Sequence, residues 1–291
     1  MRWRFFGAGA LHDVNRLCYW VALPILLFHR IGGTAPDFIA AGDLLVVVLA
    51  ATMLGILVAG VFAWLSGMAR ASRGAFIQGA FRGNAVFVGL PVVLYAFDAT
   101  GASTSGAESA VLLIVGPLLV IYNVMAVSLL LFSAGGFNRR ALRAAAVGVV
   151  VNPILLGCVA GLLFSASGAA MPPFADRTLG TLGSMAFPLA LICIGGALYL
   201  TPIRGSLALA TVGALMKVAL LPMIGLGLAV WMGLGQEQRM IAVIILASPT
   251  AAATYVLTCQ LKGDDAMASG IILLSHILAV PSLALLLTFL G

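Results

Sequence analysis

Apolar stretches of about twenty residues, separated only by short loops, leave this chain one class of fold. A hydrocarbon core about 30 Å thick is crossed by a helix of about twenty residues, which satisfies its own backbone hydrogen bonds. The stretches lack the apolar–polar alternation of a membrane β-strand. Only 8% of the 291 residues are charged and 63% are hydrophobic, too little charge to cover a soluble domain of this size. The expected architecture is all-α and polytopic. Nine membrane helices are expected at about 11–31, 43–65, 74–97, 107–133, 140–165, 176–200, 205–232, 237–260 and 264–290.

Charge placement orients these helices. One side receives Arg2, Arg4, Arg16, Arg70, Arg73, Arg139, Arg140, Arg143, Arg204 and Lys262, and the other only Arg30, Arg177 and Arg239. The richer side is expected in the cytoplasm with the N-terminus, which puts the C-terminus outside. The net charge of +6 is scattered among short loops, so it favours orientation over a nucleic-acid partner. Cys18, Cys158, Cys193 and Cys259 lie in apolar runs without metal-type spacing and read as buried small hydrophobes. The first apolar run contains Pro24, ends at His29-Arg30 and lacks a small-residue cleavage site, unlike a signal peptide. No G-x-x-x-x-G-K-[ST] loop occurs, so neither nucleotide drive nor any cofactor is expected.

The chain also resembles itself. A shift of 164 residues lays Ala22-Leu23-Pro24-Ile25-Leu26-Leu27 on Ala186-Phe187-Pro188-Leu189-Ala190-Leu191, and Pro117 on Pro281. The same shift moves each helix onto one five places later. Five is odd, so the two copies would cross the membrane in opposite directions. Inverted repeats of this kind mark secondary transporters, which bind substrate where the repeats meet. Helices one to four pair with six to nine, dividing the chain into 1–136 and 137–291. The first copy then reads as four helices, lacking its first.

Two helices are expected to be interrupted. The third contains Arg82-Gly83-Asn84-Ala85-Val86-Phe87-Val88-Gly89-Leu90-Pro91, in which Gly89 and Pro91 can break helical hydrogen bonding. An ordinary kink, with Asn84 bonded to a neighbour, explains that segment equally well. The eighth contains Ser248-Pro249-Thr250-Ala251-Ala252-Ala253-Thr254-Tyr255, and the shift carries Pro91 onto Tyr255, beside Thr254. Paired interruptions at corresponding places favour two crossed half-helices. The N-terminus of a half-helix carries partial positive charge and suits an anion.

Few polar residues lie at membrane depth. Lys217 is near the middle of helix seven, about 18 Å from either end, too far to snorkel comfortably. No acidic residue shares its depth, so Lys217 is a candidate attractor for a carboxylate substrate. Arg82 reads either as an interface marker or as a substrate contact. His276 in helix nine is a candidate proton relay, with a helix–helix hydrogen bond as the plainer reading. Asn123 and Asn152 read as interhelical hydrogen-bond partners, and Pro24 and Pro188 as kinks. All nine carboxylates fall in loops or at helix ends, unlike the buried aspartates of a cation–proton antiporter.

Six segments carry a resemblance: VALPILLF (21–28), RGNAVFVGLP (82–91), VNPILLGCVAGLLF (151–164), FPLALICIGGAL (187–198), MKVALLPMI (216–224) and ASPTAAATYVL (247–257). In this order and spacing the chain resembles the auxin efflux carrier family of permeases, which includes plant PIN carriers and bacterial malate and malonate permeases. The resemblance implies an NhaA/PIN-like fold of two inverted five-helix repeats, with two broken helices crossing at the substrate site. It also implies a small organic anion as cargo. Carried over by motif, Asn84, Gly89 and Pro91 would lie at the first crossing, and Pro249, Thr250 and Thr254 at the second. Ala253 stands where bacterial relatives often carry asparagine, and Arg2-Trp3-Arg4 resembles the basic turn that follows the family's first helix. PIN-like architecture also allows a homodimer.

The expected function is secondary transport of a mono- or dicarboxylate, such as malate, malonate or an auxin-like acid, across the cytoplasmic membrane by alternating access. Asn84 and Thr254 would hydrogen-bond substrate, the half-helix ends would offset its charge, and Lys217 would add a positive field. A sodium-coupled symporter of the bile-acid type is the alternative within transport. A transport-dead membrane sensor or subunit is the alternative outside it, motivated by the missing helix. No nucleophile, base and acid converge at one depth, so no enzyme is expected.

Overall fold

The computed structural model describes residues 8–33, 38–100, 105–133, 151–200 and 206–290. Among them the backbone is almost wholly helical and forms no strand. Helices α1 (Ala8–Leu17) and α2 (Leu23–Gly32) flank a π-helical turn at Cys18–Ala22. Next come α3 (Phe38–Leu65), α4 (Arg70–Phe81), a break, a π-helical turn at Ala85–Gly89, and α5 (Leu90–Thr100). Then follow α6 (Ser105–Ser133), α7 (Pro153–Ala166), α8 (Pro173–Ser184) and α9 (Ala186–Leu200). Helices α10 (Leu207–Leu215) and α11 (Leu221–Trp231) flank a third π-helical turn at Met216–Leu220. The described chain closes with α12 (Gln236–Ala247), α13 (Ala253–Gln260) and α14 (Asp265–Leu290).

Among the described residues four continuous helices are long and apolar enough to cross a membrane: Ala41–Leu65, Ala110–Ser133, Leu207–Trp231 and Asp265–Phe289. The other expected helices are divided into shorter pieces, and the helix expected at 140–165 is described only from Pro153 onward. Proline explains much of the division. Each π-helical turn ends two residues before one, namely Pro24, Pro91 and Pro222. Proline offers no N–H to the carbonyl four residues back and crowds it, so the helix widens locally.

Apolar side chains face outward along these helices. Phe38, Leu57, Trp64, Phe132, Leu163, Trp231 and Phe289 are all exposed, a surface suited to lipid and costly in water. Trp64 and Trp231 sit at the ends of α3 and α11, where an indole suits the headgroup level. The molecule is a multi-pass α-helical membrane protein.

Two packing groups divide the described residues. In one, α2 lies against α7 and α8, and α1 against α9. In the other, α3, α4 and α6 pack with α10 to α14. Small residues set the first group's spacing. A Cβ added to Gly157 would lie 2.6 Å from the Pro24 carbonyl oxygen, and one on Gly161 3.0 Å from that of Phe28. Helix α7 therefore meets the backbone of α2 directly. His29 Nε2 and Asp176 Oδ1, 2.8 Å apart, link α2 to α8 near the surface.

Two expectations need correction. Asn152 does not bridge helices but caps α7, its Oδ1 accepting from the amides of Ile154 and Leu155 at 2.9 and 3.3 Å. Pro153 holds the preceding residue extended, at φ −69° and ψ 115°, the conformation an N-cap needs. The cysteines also differ among themselves: Cys18 and Cys158 are buried, Cys193 is half-buried and Cys259 is exposed on α13.

Candidate functional site

The two interruptions meet. Helix α4 ends where Arg82 turns to φ −75° and ψ 87°, and Asn84 starts the next segment by accepting from the Phe87 amide at 3.2 Å. Helix α12 ends where Ser248, just before Pro249, becomes extended at φ −54° and ψ 136°. Gly83 and Thr250 then pair as one isolated antiparallel bridge. The Asn84 amide donates to the Pro249 carbonyl at 2.7 Å, and the Ala251 amide to the Arg82 carbonyl at 2.9 Å. Backbone groups freed at membrane depth must be satisfied within the protein. Here each break satisfies the other.

Side chains complete that accounting. Thr250 Oγ1 donates to the Gly79 carbonyl at 2.7 Å, on the last turn of α4. The Thr250 amide donates to Ser275 Oγ on α14 at 3.0 Å. Lys217 Nζ donates to the Leu246 carbonyl, on the last turn of α12. An ammonium there faces the negative end of a half-helix dipole. Arg82 Nη2 donates to Asn123 Oδ1 on α6, the interhelical bond expected of Asn123.

Most of the sequence-predicted residues converge here. Asn84, Pro249 and Thr250 form the crossing itself. Gly89 packs on it, since an added Cβ would lie 2.7 Å from Ser248 Oγ. Lys217, fully buried, lies beside Gly83, where an added Cβ would be 3.1 Å from Nζ. Thr254 is buried one turn beyond the bridge on α13. Pro91 is buried in α5 past the π-helical turn, so the backbone leaves the helix at residues 82–84, ahead of Gly89 and Pro91. His276 Nδ1 donates to the Ile272 carbonyl at 2.8 Å, a bond within its own helix rather than between helices.

Arg82 departs from its interface reading: it is 5% exposed and sits at the break. Sequence reading also passes over Gln78, Ser248 and Ser275. Gln78 lies four residues before Arg82 on one helix face, and Ser275 adjoins His276. Among the described buried residues two are cationic, Arg82 and Lys217, and none is acidic. Two basic side chains thus sit at the crossing with no buried carboxylate among the described residues to pair them. A separate cavity of about 390 Å³ opens between the two packing groups, lined by Leu26, His29, Val93, Phe97, Gly180 and Phe187 among others. None of the sequence-predicted site residues lines it.

A family model described as membrane transport protein matches residues 137–287, just over half of the chain. No curated protein matches it.

Proposed function

Because the chain belongs to the auxin efflux carrier family of membrane transport proteins, we propose that it carries a small organic anion by alternating access around the crossing. The cargo is a mono- or dicarboxylate such as malate, malonate or an auxin-like acid. The observation that carries this reading is the pair of buried cations, Arg82 and Lys217, beside two helix breaks with no buried carboxylate among the described residues. Intramembrane charge is costly and persists where it serves a substrate or an ion. An anion bound there lowers that cost and supplies the missing negative charge.

Asn84 and Thr254 hydrogen-bond the substrate, Lys217 supplies a positive field, and Gly89, Pro249 and Thr250 shape the two breaks. His276, a residue away from Ser275, is the candidate proton relay. The crossing belongs to the packing group of α3 to α6 and α10 to α14, while the cavity lies at its boundary with the other group. Rocking of one group on the other opens the crossing to alternate sides. Inverted repeats 1–136 and 137–291 fit this movement. Shifting residues 82–84 by 164 gives 246–248, which adjoins the second break, and shifting 18–22 gives 182–186, which spans the interruption at Met185. The protein resides in the cytoplasmic membrane as a homodimer, its N-terminal end inside.

Reconstituted proteoliposomes test the reading with [14C]malonate, [14C]malate and [3H]indole-3-acetate, under imposed proton or sodium gradients. Saturable uptake of at least one carboxylate is expected. Uptake that requires sodium assigns the bile-acid type of coupling. Folded, incorporated protein that moves none of the three overturns the transport of carboxylates and favours a sensor.

A further inference from the structure

Near the crossing, three buried side chains carry polar atoms without a hydrogen-bond partner: both amide atoms of Gln78, Nη1 of Arg82 and Oγ1 of Thr254. Gln78 and Thr254 are fully buried. Unpaired buried polar groups are expensive, and native proteins keep few of them. Four such atoms in one seam therefore point to a ligand that pairs them.

The register of three helices brings these atoms together. Residues 74, 78 and 82 recur every fourth position on one face of α4. That face meets α6 at both ends. A Cβ on Gly74 would lie 3.2 Å from Leu130 Cδ2, and Arg82 Nη2 donates to Asn123. Gln78 lies between the two contacts. Helix α13 closes the seam: Thr250 reaches the Gly79 carbonyl at one end, and the Asp264 amide reaches the Ala71 carbonyl at the other. A Cβ on Gly263 would sit 2.9 Å from Thr258 Cγ2 and 3.4 Å from Leu130 Cδ2, so the turn that follows α13 lies between α13 and α6 there. Thr254 stands between Thr250 and Thr258, level with the turn that bears Gln78.

The geometry points to a second anion subsite in this seam, in which Gln78 Nε2, Arg82 Nη1 and Thr254 Oγ1 hold a carboxylate of the transported anion. The inference rests on the carboxylate reading above. The chemistry of the donors is specific. A guanidinium with one arm fixed by Asn123 presents its other arm in a set direction, and an amide and a hydroxyl add neutral donors from two further positions. The subsite lies on the side of the crossing where α4 begins at Arg70 and α13 ends near Lys262. Lys217 serves the Leu246 carbonyl of α12, so the two cations address different half-helices. An anion crossing the protein meets them in succession.

Equilibrium binding of [14C]malonate to the purified protein, with thermal unfolding in the same buffer, tests the subsite. Gln78→Glu places a carboxylate one turn from Arg82. It is expected to lower malonate affinity by at least about tenfold while raising the melting temperature, because the internal carboxylate takes the ligand's place. A merely structural glutamine predicts a lower melting temperature with unchanged affinity, which overturns the proposal. Arg82→Gln is expected to weaken binding by about 30-fold. Should that variant not fold, the nearly isosteric Thr254→Val carries the test with an expected loss of about three- to tenfold. Wild-type affinity in both Gln78→Glu and Thr254→Val overturns the subsite and, with it, Thr254 as a substrate contact, whereas saturable carboxylate uptake by the wild-type protein keeps the transport reading standing. Wild-type protein that neither binds nor moves malonate, malate or indole-3-acetate overturns both.

Discussion

Replacing Lys217 by methionine removes a buried positive charge and keeps an unbranched side chain of similar length. The Leu246 carbonyl at the end of α12 loses its donor, and an unpaired buried carbonyl costs about 1–3 kcal/mol. Loss of a cation at a helix C-terminus adds up to about 2 kcal/mol. Against both stands the desolvation of a fully buried ammonium, several kcal/mol in a low-dielectric interior, which the variant no longer bears. These terms oppose each other at similar size, so stability is expected to change by less than about 2 kcal/mol.

Substrate binding has no such offset. An anion held about 6 Å from Nζ, at an effective dielectric of about 20, is attracted by roughly 3 kcal/mol. Losing that attraction weakens binding by about 100-fold. Concentration-dependent [14C]malonate uptake by proteoliposomes should therefore show an apparent KM raised about 30- to 100-fold, with a melting temperature close to wild type. Lys217→Ala should lose uptake similarly and also lose about 2–4 kcal/mol of stability, because its methylenes leave a void beside Gly83. Wild-type KM in Lys217→Met would refute the reasoning, leaving Lys217 as a cap for α12 alone.

Two further predictions concern what holds the site in place. Thr250→Val removes the donor to the Gly79 carbonyl and should cost about 1–3 kcal/mol, read as a lower melting temperature. Uptake should fall with it, since the same side chain pins one break to the other. Gly157→Ala puts a Cβ 2.6 Å from the Pro24 carbonyl oxygen and 2.9 Å from Pro24 Cα. Backbone cannot yield as a side chain does, so α2 and α7 must separate, at about 1–3 kcal/mol. An unaltered melting temperature in Gly157→Ala would mean that α2 and α7 are not packed this closely.

How much of this was legible beforehand depends on whether a residue acts locally. Pro249 marks the second break from sequence because a proline forces its predecessor out of the helical region, and Ser248 obeys. Pro91 acts by the same rule yet misleads, since a π-helical turn at Ala85–Gly89 absorbs it and the backbone departs at Arg82–Asn84 instead. That departure needs the Pro249 carbonyl and the Ala251 amide from the other half of the chain, and no local pattern reports them. Lys217 follows the same logic. Its depth could be counted along an apolar helix, but its acceptor exists only because α12 stops at Ser248. Gln78 was invisible for a related reason: alone it is one polar residue on a helix, and only the meeting of α4, α6 and α13 leaves its amide unpaired. The residue types that a crossing needs can thus be read from one half of the chain at a time. Their pairing cannot, because each half completes the hydrogen bonds that the other has broken.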